Sequence, residues 1–206
     1  VQVRKLSVPD AFEFTPRSFP DSRGLFVAPF QEAALIEATG HPMRLAQTNH
    51  SVSVRGAIRG LHFADTPPGQ AKYVYCPRGA LMDVVVDLRV GSPTFGAWDA
   101  ARLDSTDFRA VYISEGIGHA FVALEEDTVM AYLCSTPYNP AAEHAVNPMD
   151  PMLGIPWESY LDGVEPVLSD KDRGAPSLAE AVAADLLPKY EACQAHYASL
   201  RSVLVP

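Results

Sequence analysis

The chain has 206 residues, 48% of them hydrophobic, and a formal net charge of −9. That apolar content supplies a sizeable core and excludes a disordered chain, and the length suits one domain over 1–206. The acidic balance excludes a general nucleic-acid-binding face, although a few arginines converging in one pocket can still hold a small anion. No run of about 18 apolar residues exists, so no membrane-spanning helix is expected. The first residues carry no apolar signal segment. Cys76, Cys134 and Cys193 are too widely spaced for a metal pair or a disulfide framework, which predicts a reducing, cytoplasmic setting.

Residues 1–24 begin with a short strand-like run, followed by turns at Pro16, Pro20 and Asp21-Ser-Arg-Gly24. A strand is expected over 25–30 and a helix over 31–39, stopped by Gly40 and Pro42. The next strand, 44–53, puts Gln47 and Asn49 on one face, where spacing alone favours surface amides. Arg55-Gly-Ala-Ile-Arg-Gly-Leu-His-Phe63 then reads as a strand, with Gly56 and Gly60 marking close backbone approach or a bulge. Two guanidiniums and an imidazole on one short strand suggest a site, since Arg grips phosphate and His moves protons near neutral pH. Taken by itself, the stretch fits exposed arginines and a satisfied core histidine equally well.

A strand over 71–76 places Lys72 on the face of Val74 and Cys76. The strongest strand, 80–88, has one wholly apolar face (Ala80, Met82, Val84, Val86, Leu88) and one mixed face (Leu81, Asp83, Val85, Asp87). The mixed face suits either a polar cavity or solvent. Further short strands are expected over 95–102, 109–113, 119–124 and 128–134, with Tyr132 sharing a face with Met130 and Cys134. Periodicity fades over 137–176, which reads as a wrapped loop. Ser177-Leu-Ala-Glu180 is a capping box starting a helix to 187, and Pro188 suits the first turn of a second helix, 188–202. Eighteen prolines and thirteen glycines spread among many short strands predict an all-β sandwich or jelly roll, with its core over about 6–175 and a helical tail over 177–202.

A metal site on such a barrel needs a His-x-His pair, a carboxylate and a later His. His62 is followed by Phe63 and Ala64, and His119 has no His at 117 or 121. No metal is therefore expected.

Three strings carry a resemblance: Arg59-Gly-Leu-His-Phe63, Pro67-Pro-Gly-Gln-Ala-Lys-Tyr73 and Asp83-Val-Val-Val-Asp-Leu-Arg-Val-Gly-Ser-Pro-Thr-Phe-Gly96. Further matches include Gln47-Thr-Asn-His-Ser51, Gly116-Ile-Gly-His-Ala-Phe121, Tyr138-Asn-Pro140 and Leu168-Ser-Asp-Lys-Asp172. From about 6 to 187 the chain resembles the dTDP-4-dehydrorhamnose 3,5-epimerase family. The resemblance implies a cupin-like jelly roll with no metal and no cofactor. It also implies a homodimer that exchanges N-terminal strands, and a dTDP-4-keto-6-deoxyhexose substrate. By the same resemblance His62 is the general base, Asp172 its carboxylate partner, Tyr132 the acid and Lys72 the active-site lysine. Arg23 and Arg59 correspond to diphosphate contacts. Phe26, Gln47, Asn49, Tyr138 and Glu143 correspond to nucleotide or sugar contacts, and His119 to a further pocket residue. The chain departs from the family at Ala28, where Glu is common, at Ala64, where Gln is frequent, and in Gly118-His-Ala-Phe121. These changes resemble variants from antibiotic deoxysugar pathways and leave open whether C3, C5 or both are inverted.

A 4-keto group acidifies the C–H bonds at C3 and C5, so inversion needs a base and an acid on opposite faces of the ring. A non-catalytic sugar-nucleotide-binding module would keep Arg23, Arg59 and Tyr138 but would not need His62, Tyr132, Asp172 and Lys72 together. One geometric tension stands out. Arg59 and His62 are three apart, so a regular strand points them to opposite faces. Both serve one pocket only if the strand bulges at Gly60, or if Arg59 reaches a neighbouring subunit.

Overall fold

A computed structural model describes residues 1–202; residues 203–206 of the expected 1–206 domain lie outside the described residues. In chain order the strands are β1 (Gln2–Lys5), β2 (Ala11–Thr15), β3 (Ser18–Asp21), β4 (Gly24–Val27), β5 (Gln47–Ser53), β6 (Ile58–Ala64) and β7 (Lys72–Arg78). They continue with β8 (Ala80–Val86), β9 (Trp98–Asp104), β10 (Ala110–Ile113), β11 (Gly118–Ala123), β12 (Thr128–Cys134) and β13 (Glu143–Ala145). The helices are α1 (Glu32–Thr39), α2 (Trp157–Leu161), α3 (Asp170–Arg173), α4 (Leu178–Ala183) and α5 (Tyr190–Ser202). A six-stranded sheet, β1-β2-β10-β7-β12-β5, faces a five-stranded sheet, β13-β6-β11-β8-β9, and every strand pairing is antiparallel. This is the expected cupin-like jelly roll with short C-terminal helices.

Three apolar layers hold it together. Val74, Cys76, Leu81, Val85, Val111, Phe121 and Met130 fill the space between the sheets. Val84, Val86 and Leu88 on the outer face of the five-stranded sheet pack under Trp157, Leu161, Leu178 and Leu187. Phe14, Tyr73 and Tyr112 on the outer face of the six-stranded sheet meet Leu35 of α1 and Met43. Burying one such side chain contributes about 1.5–3 kcal/mol. The two faces of β8 therefore divide the labour. Its apolar face lies beneath the C-terminal segment, and its mixed face turns inward, with Asp83 only 1% exposed.

Several boundaries differ from the sequence reading. The 95–102 strand is displaced to Trp98–Asp104, because Gly96 N–H donates to the Asp87 carbonyl and Ala97 N–H to Thr94, closing a turn first. The helix expected to reach 187 stops at Ala183. Asp185 adopts φ +55°, Leu186 N–H reaches the Ala181 carbonyl and Asp185 N–H the Val182 carbonyl, the two bonds of a Schellman stop. Pro188 is not in the next helix. Its carbonyl accepts from Val90 N–H while Tyr190 N–H donates to the Val90 carbonyl, so α5 begins at Tyr190. The expected loop over 137–176 contains β13, a 3₁₀ turn at Pro151–Leu153, α2 and α3, each too short to leave a periodic signature. The 25–30 strand is shortened to β4, which among the described residues pairs only with β3, in a hairpin detached from both sheets.

Candidate active site

The tension between Arg59 and His62 is resolved within the chain. His119 of β11 lies opposite His62 of β6, yet Phe121 lies opposite Arg59, so three steps on β6 match two on β11. The extra residue is a β-bulge. Gly60 takes φ +120°, and a Cβ there would come within 2.5 Å of the His119 carbonyl oxygen, so only glycine fits. Arg59 and His62 consequently line the same cleft, a cavity of about 530 Å³ that also includes Asp172, Tyr138, Glu143 and Lys171. Arg59 Nε donates to Ser53 Oγ at 3.1 Å and its Nη2 to the Val52 carbonyl at 3.1 Å.

His62 Nε2 lies 2.7 Å from Asp172 Oδ1. The imidazole is 31% exposed and the carboxylate 5%. Asp172 is held by α3, whose N-cap Ser169 accepts from the Asp172 backbone N–H. Burial works to raise the Asp172 pKa, but the His62 imidazole and the Ser169 hydroxyl outweigh it and hold the carboxyl below its usual range. With Nε2 turned to the aspartate, Nδ1 is the ring nitrogen left to receive a proton.

On the inner face beyond this pair stands Tyr132 of β12, its hydroxyl 3.3 Å from Ser51 Oγ. Burial, partly offset by the Ser51 contact, pushes its pKa up to about 12, so it is a neutral phenol at physiological pH. The His119 ring meets it edge to face at 6.3 Å. His119 Nε2 is 2.6 Å from Asp83 Oδ1, both side chains buried. Lys72 sits opposite Cys134 of β12 on the inward face that also carries Val74 and Cys76.

Gln47 and Asn49 are not surface amides. Both are half-buried: Gln47 Nε2 donates to Asn49 Oδ1 at 2.8 Å, and Gln47 Oε1 accepts from the Tyr138 backbone N–H at 3.0 Å. They tie β5 to the loop bearing Tyr138, which is 56% exposed at the rim, while Glu143 is fixed on β13 opposite Ala64. Of the candidates only Arg59, His62, Tyr138, Glu143 and Asp172 line the cleft itself; Gln47, Asn49, Lys72, His119 and Tyr132 do not. Arg23 and Phe26 belong to the β3–β4 hairpin, Arg23 pairing with Asp21 at 2.7 Å, and neither lines the cleft. Ser51, Ser53, Ser169 and Lys171 were missed by the sequence reading. For Ser51 a signal existed: it continues the two-residue alternation of Gln47 and Asn49. Among the described residues no three His, Cys, Asp or Glu side chains gather as a metal-ligand set.

A jelly roll that turns a histidine–aspartate pair toward a cleft also lined by an arginine and a glutamate, with a neutral phenol nearby, suits an enzyme that moves protons on a bound small molecule. Residues 5–180 match the family model described as dTDP-4-dehydrorhamnose 3,5-epimerase. A dTDP-4-dehydrorhamnose 3,5-epimerase of Mycolicibacterium smegmatis is 55% identical, over 98% of each chain. A dTDP-4-dehydrorhamnose 3-epimerase of Streptomyces niveus is 52% identical over 95% of this chain and 92% of its own. Among solved structures, ChmJ, a 3'-monoepimerase from Streptomyces bikiniensis in complex with dTDP-quinovose, superposes with a TM-score of 0.91 at 47% identity, covering 95% of this chain and 98% of its own. The chain belongs to the dTDP-4-dehydrorhamnose 3,5-epimerase family and is an isomerase.

Proposed function

We propose that this enzyme inverts C3, C5 or both of a dTDP-4-keto-6-deoxyhexose, in deoxysugar biosynthesis of the rhamnose or antibiotic type. The observation that carries the reading is the His62–Asp172 contact at the edge of the cleft, with Tyr132 neutral and half-buried on the inner face. His62 Nδ1 takes the proton α to the ketone, and the aspartate balances the imidazolium that forms. The electron pair moves onto the ketone oxygen, where the Lys72 ammonium stabilises the enolate; losing one such donor costs about 3–4 kcal/mol of barrier in other enzymes. Tyr132 returns a proton to the opposite face. Arg59 anchors the diphosphate, whose binding energy holds the reacting carbons in register. Gln47, Asn49, Tyr138, Glu143 and His119 shape the rest of the pocket. The named relatives are epimerases, which favours this reading over a non-catalytic binding module.

The same reading includes a homodimer. The β3–β4 hairpin leaves Phe19 49%, Leu25 46% and Phe26 68% exposed, an apolar surface that suits a second copy. Exchange of this hairpin would carry Arg23 and Phe26 to the partner's cleft, which accounts for their absence from the lining of this one. Three buried free thiols fit a reducing compartment, and we place the reaction in the cytoplasm. Proton NMR with dTDP-4-keto-6-deoxyglucose in D₂O tests the function. Deuterium entering at C3, C5 or both, with inversion, is expected; no exchange at either carbon overturns it.

A further inference from the structure

One polar side chain of β5 has no task in the proposed reaction. Gln47, Asn49 and Ser51 are the half-buried positions of this strand, alternating with exposed ones, and Ser53 is the next in the series. Ser53 is buried, and its hydroxyl oxygen accepts from Arg59 Nε of β6 at 3.1 Å. The adjacent Val52 carbonyl accepts from Arg59 Nη2, also at 3.1 Å. β5 is the edge strand of its sheet, where alternate carbonyls face away from the ladder. Nε–H and the Nη2–H beside it form one side of the planar guanidinium, so that whole side is docked on consecutive residues of β5. The donors left over are those of Nη1 and the far side of Nη2. Val52, Ser53 and Arg59 all line the His62 cleft.

We propose that Ser53 is a positioning residue for anion binding. Its hydroxyl, with the Val52 carbonyl, holds Arg59 so that the guanidinium meets a diphosphate end-on, through Nη1 and Nη2, and not side-on, through Nε and Nη2. The proposal rests on the diphosphate role given to Arg59 above and says which edge of the side chain performs it. Two features of the arrangement suit that task. Both acceptors are neutral, so they orient the guanidinium without cancelling the charge that a diphosphate needs. Arginine also has many rotamers, and ordering it before the ligand arrives removes that entropy cost from binding. Without the Ser53 hydroxyl, Nε–H turns to water, and the guanidinium is free to swing about its side-chain bonds. The Val52 carbonyl alone, a single acceptor, does not fix a plane.

Calorimetry with dTDP tests this on the wild type, Ser53→Ala, Arg59→Ala and the double variant. Ser53→Ala should weaken dTDP about tenfold and Arg59→Ala about a hundredfold. The double variant should stay within about twofold of Arg59→Ala, because Ser53 acts only through the guanidinium. Unchanged affinity in a folded Ser53→Ala, or a further tenfold loss on adding it to Arg59→Ala, would overturn the proposal. Nitrogen-15 NMR of the unaltered enzyme gives a second reading that needs no folded Ser53 variant. The Arg59 Nε–H signal, assigned by its loss in Arg59→Ala, should keep its position when dTDP binds while the Nη signals move. A displaced Nε–H with the Nη signals unmoved means side-on contact and overturns it. A wild type that binds no dTDP at all overturns the nucleotide reading itself, a result that neither serine variant could produce.

Discussion

Two histidine–aspartate pairs stand on neighbouring strands of one sheet. His62 of β6 and His119 of β11 are register partners, and each turns Nε2 to an aspartate, at 2.7 and 2.6 Å. They differ in their surroundings. The His62 ring is 31% exposed on a cleft, and its aspartate arrives from α3, a four-residue helix in the irregular segment after β12. The His119 ring is 5% exposed, and its aspartate is a β8 strand residue inside the sandwich. A short histidine–carboxylate contact therefore does not by itself mark a base. What separates the pairs is access to the cleft, which favours His62 over His119 as the base in the proposed reaction.

The largest expected effect is on the open pair. His62→Ala should lose epimerisation and solvent exchange together, by about 10⁴-fold, because no enolate forms; D₂O NMR reads both. Full exchange in that variant would transfer the base to His119 and reverse the comparison. Asp172→Asn should slow turnover by about 10³-fold and change the acid limb of stability. The folded carboxyl lies below its unfolded value, so its contribution is complete above about pH 4 and is lost as pH falls through the lower folded value. Urea midpoints measured against pH should fall less steeply on the acid side in the variant than in the wild type, where Asp172 adds to the other lowered carboxyls, Asp87 and Asp104 among them. Tyr132→Phe should slow inversion by about 10²-fold while deuterium still enters the starting epimer, since His62 returns the label to the original face. Equal loss of exchange and inversion would place Tyr132 in proton removal as well. The smallest effect belongs to the sealed pair. His119→Ala strands the buried Asp83 and should lower folding stability by about 1–3 kcal/mol in urea titration, more than His62→Ala does.

The strands and the candidate residues could be read from sequence to different depths. The double-faced pattern of 80–88 identified β8, but both fates of its mixed face were open, because the covering layers come from residues a long way off in the chain. His62 and Lys72 drew notice locally, as charged groups on otherwise apolar strands. Asp172 did not, since it lies 110 positions from His62 in a stretch without periodicity, and only the family resemblance joined the two. Gln47 and Asn49 seemed to be surface groups until the Tyr138 backbone was found against Gln47. Gly60 was visible as a bulge candidate. Whether the bulge or a second subunit reconciled Arg59 with His62 depended on the pairing with β11, a long-range fact that spacing does not encode.

The bulge at Gly60 behaves as a frameshift written into the pleat. Removing one residue between Arg59 and His62 would restore strict alternation without moving the strand's neighbours. The separation between the two residues would then be even, two steps on β6 would match two on β11, and both would still face the cleft. With every residue kept and the bulge flattened instead, one of the pair could keep its place only by sending the hydrophobic partners beside the other, Ile58 or Leu61 and Phe63, out of the layer beneath Trp157 and Leu161. The odd interval is thus a ruler. A chain of this architecture that separates its arginine and histidine by two residues declares a kinked strand in its linear text, whereas one with an even interval announces a straight strand.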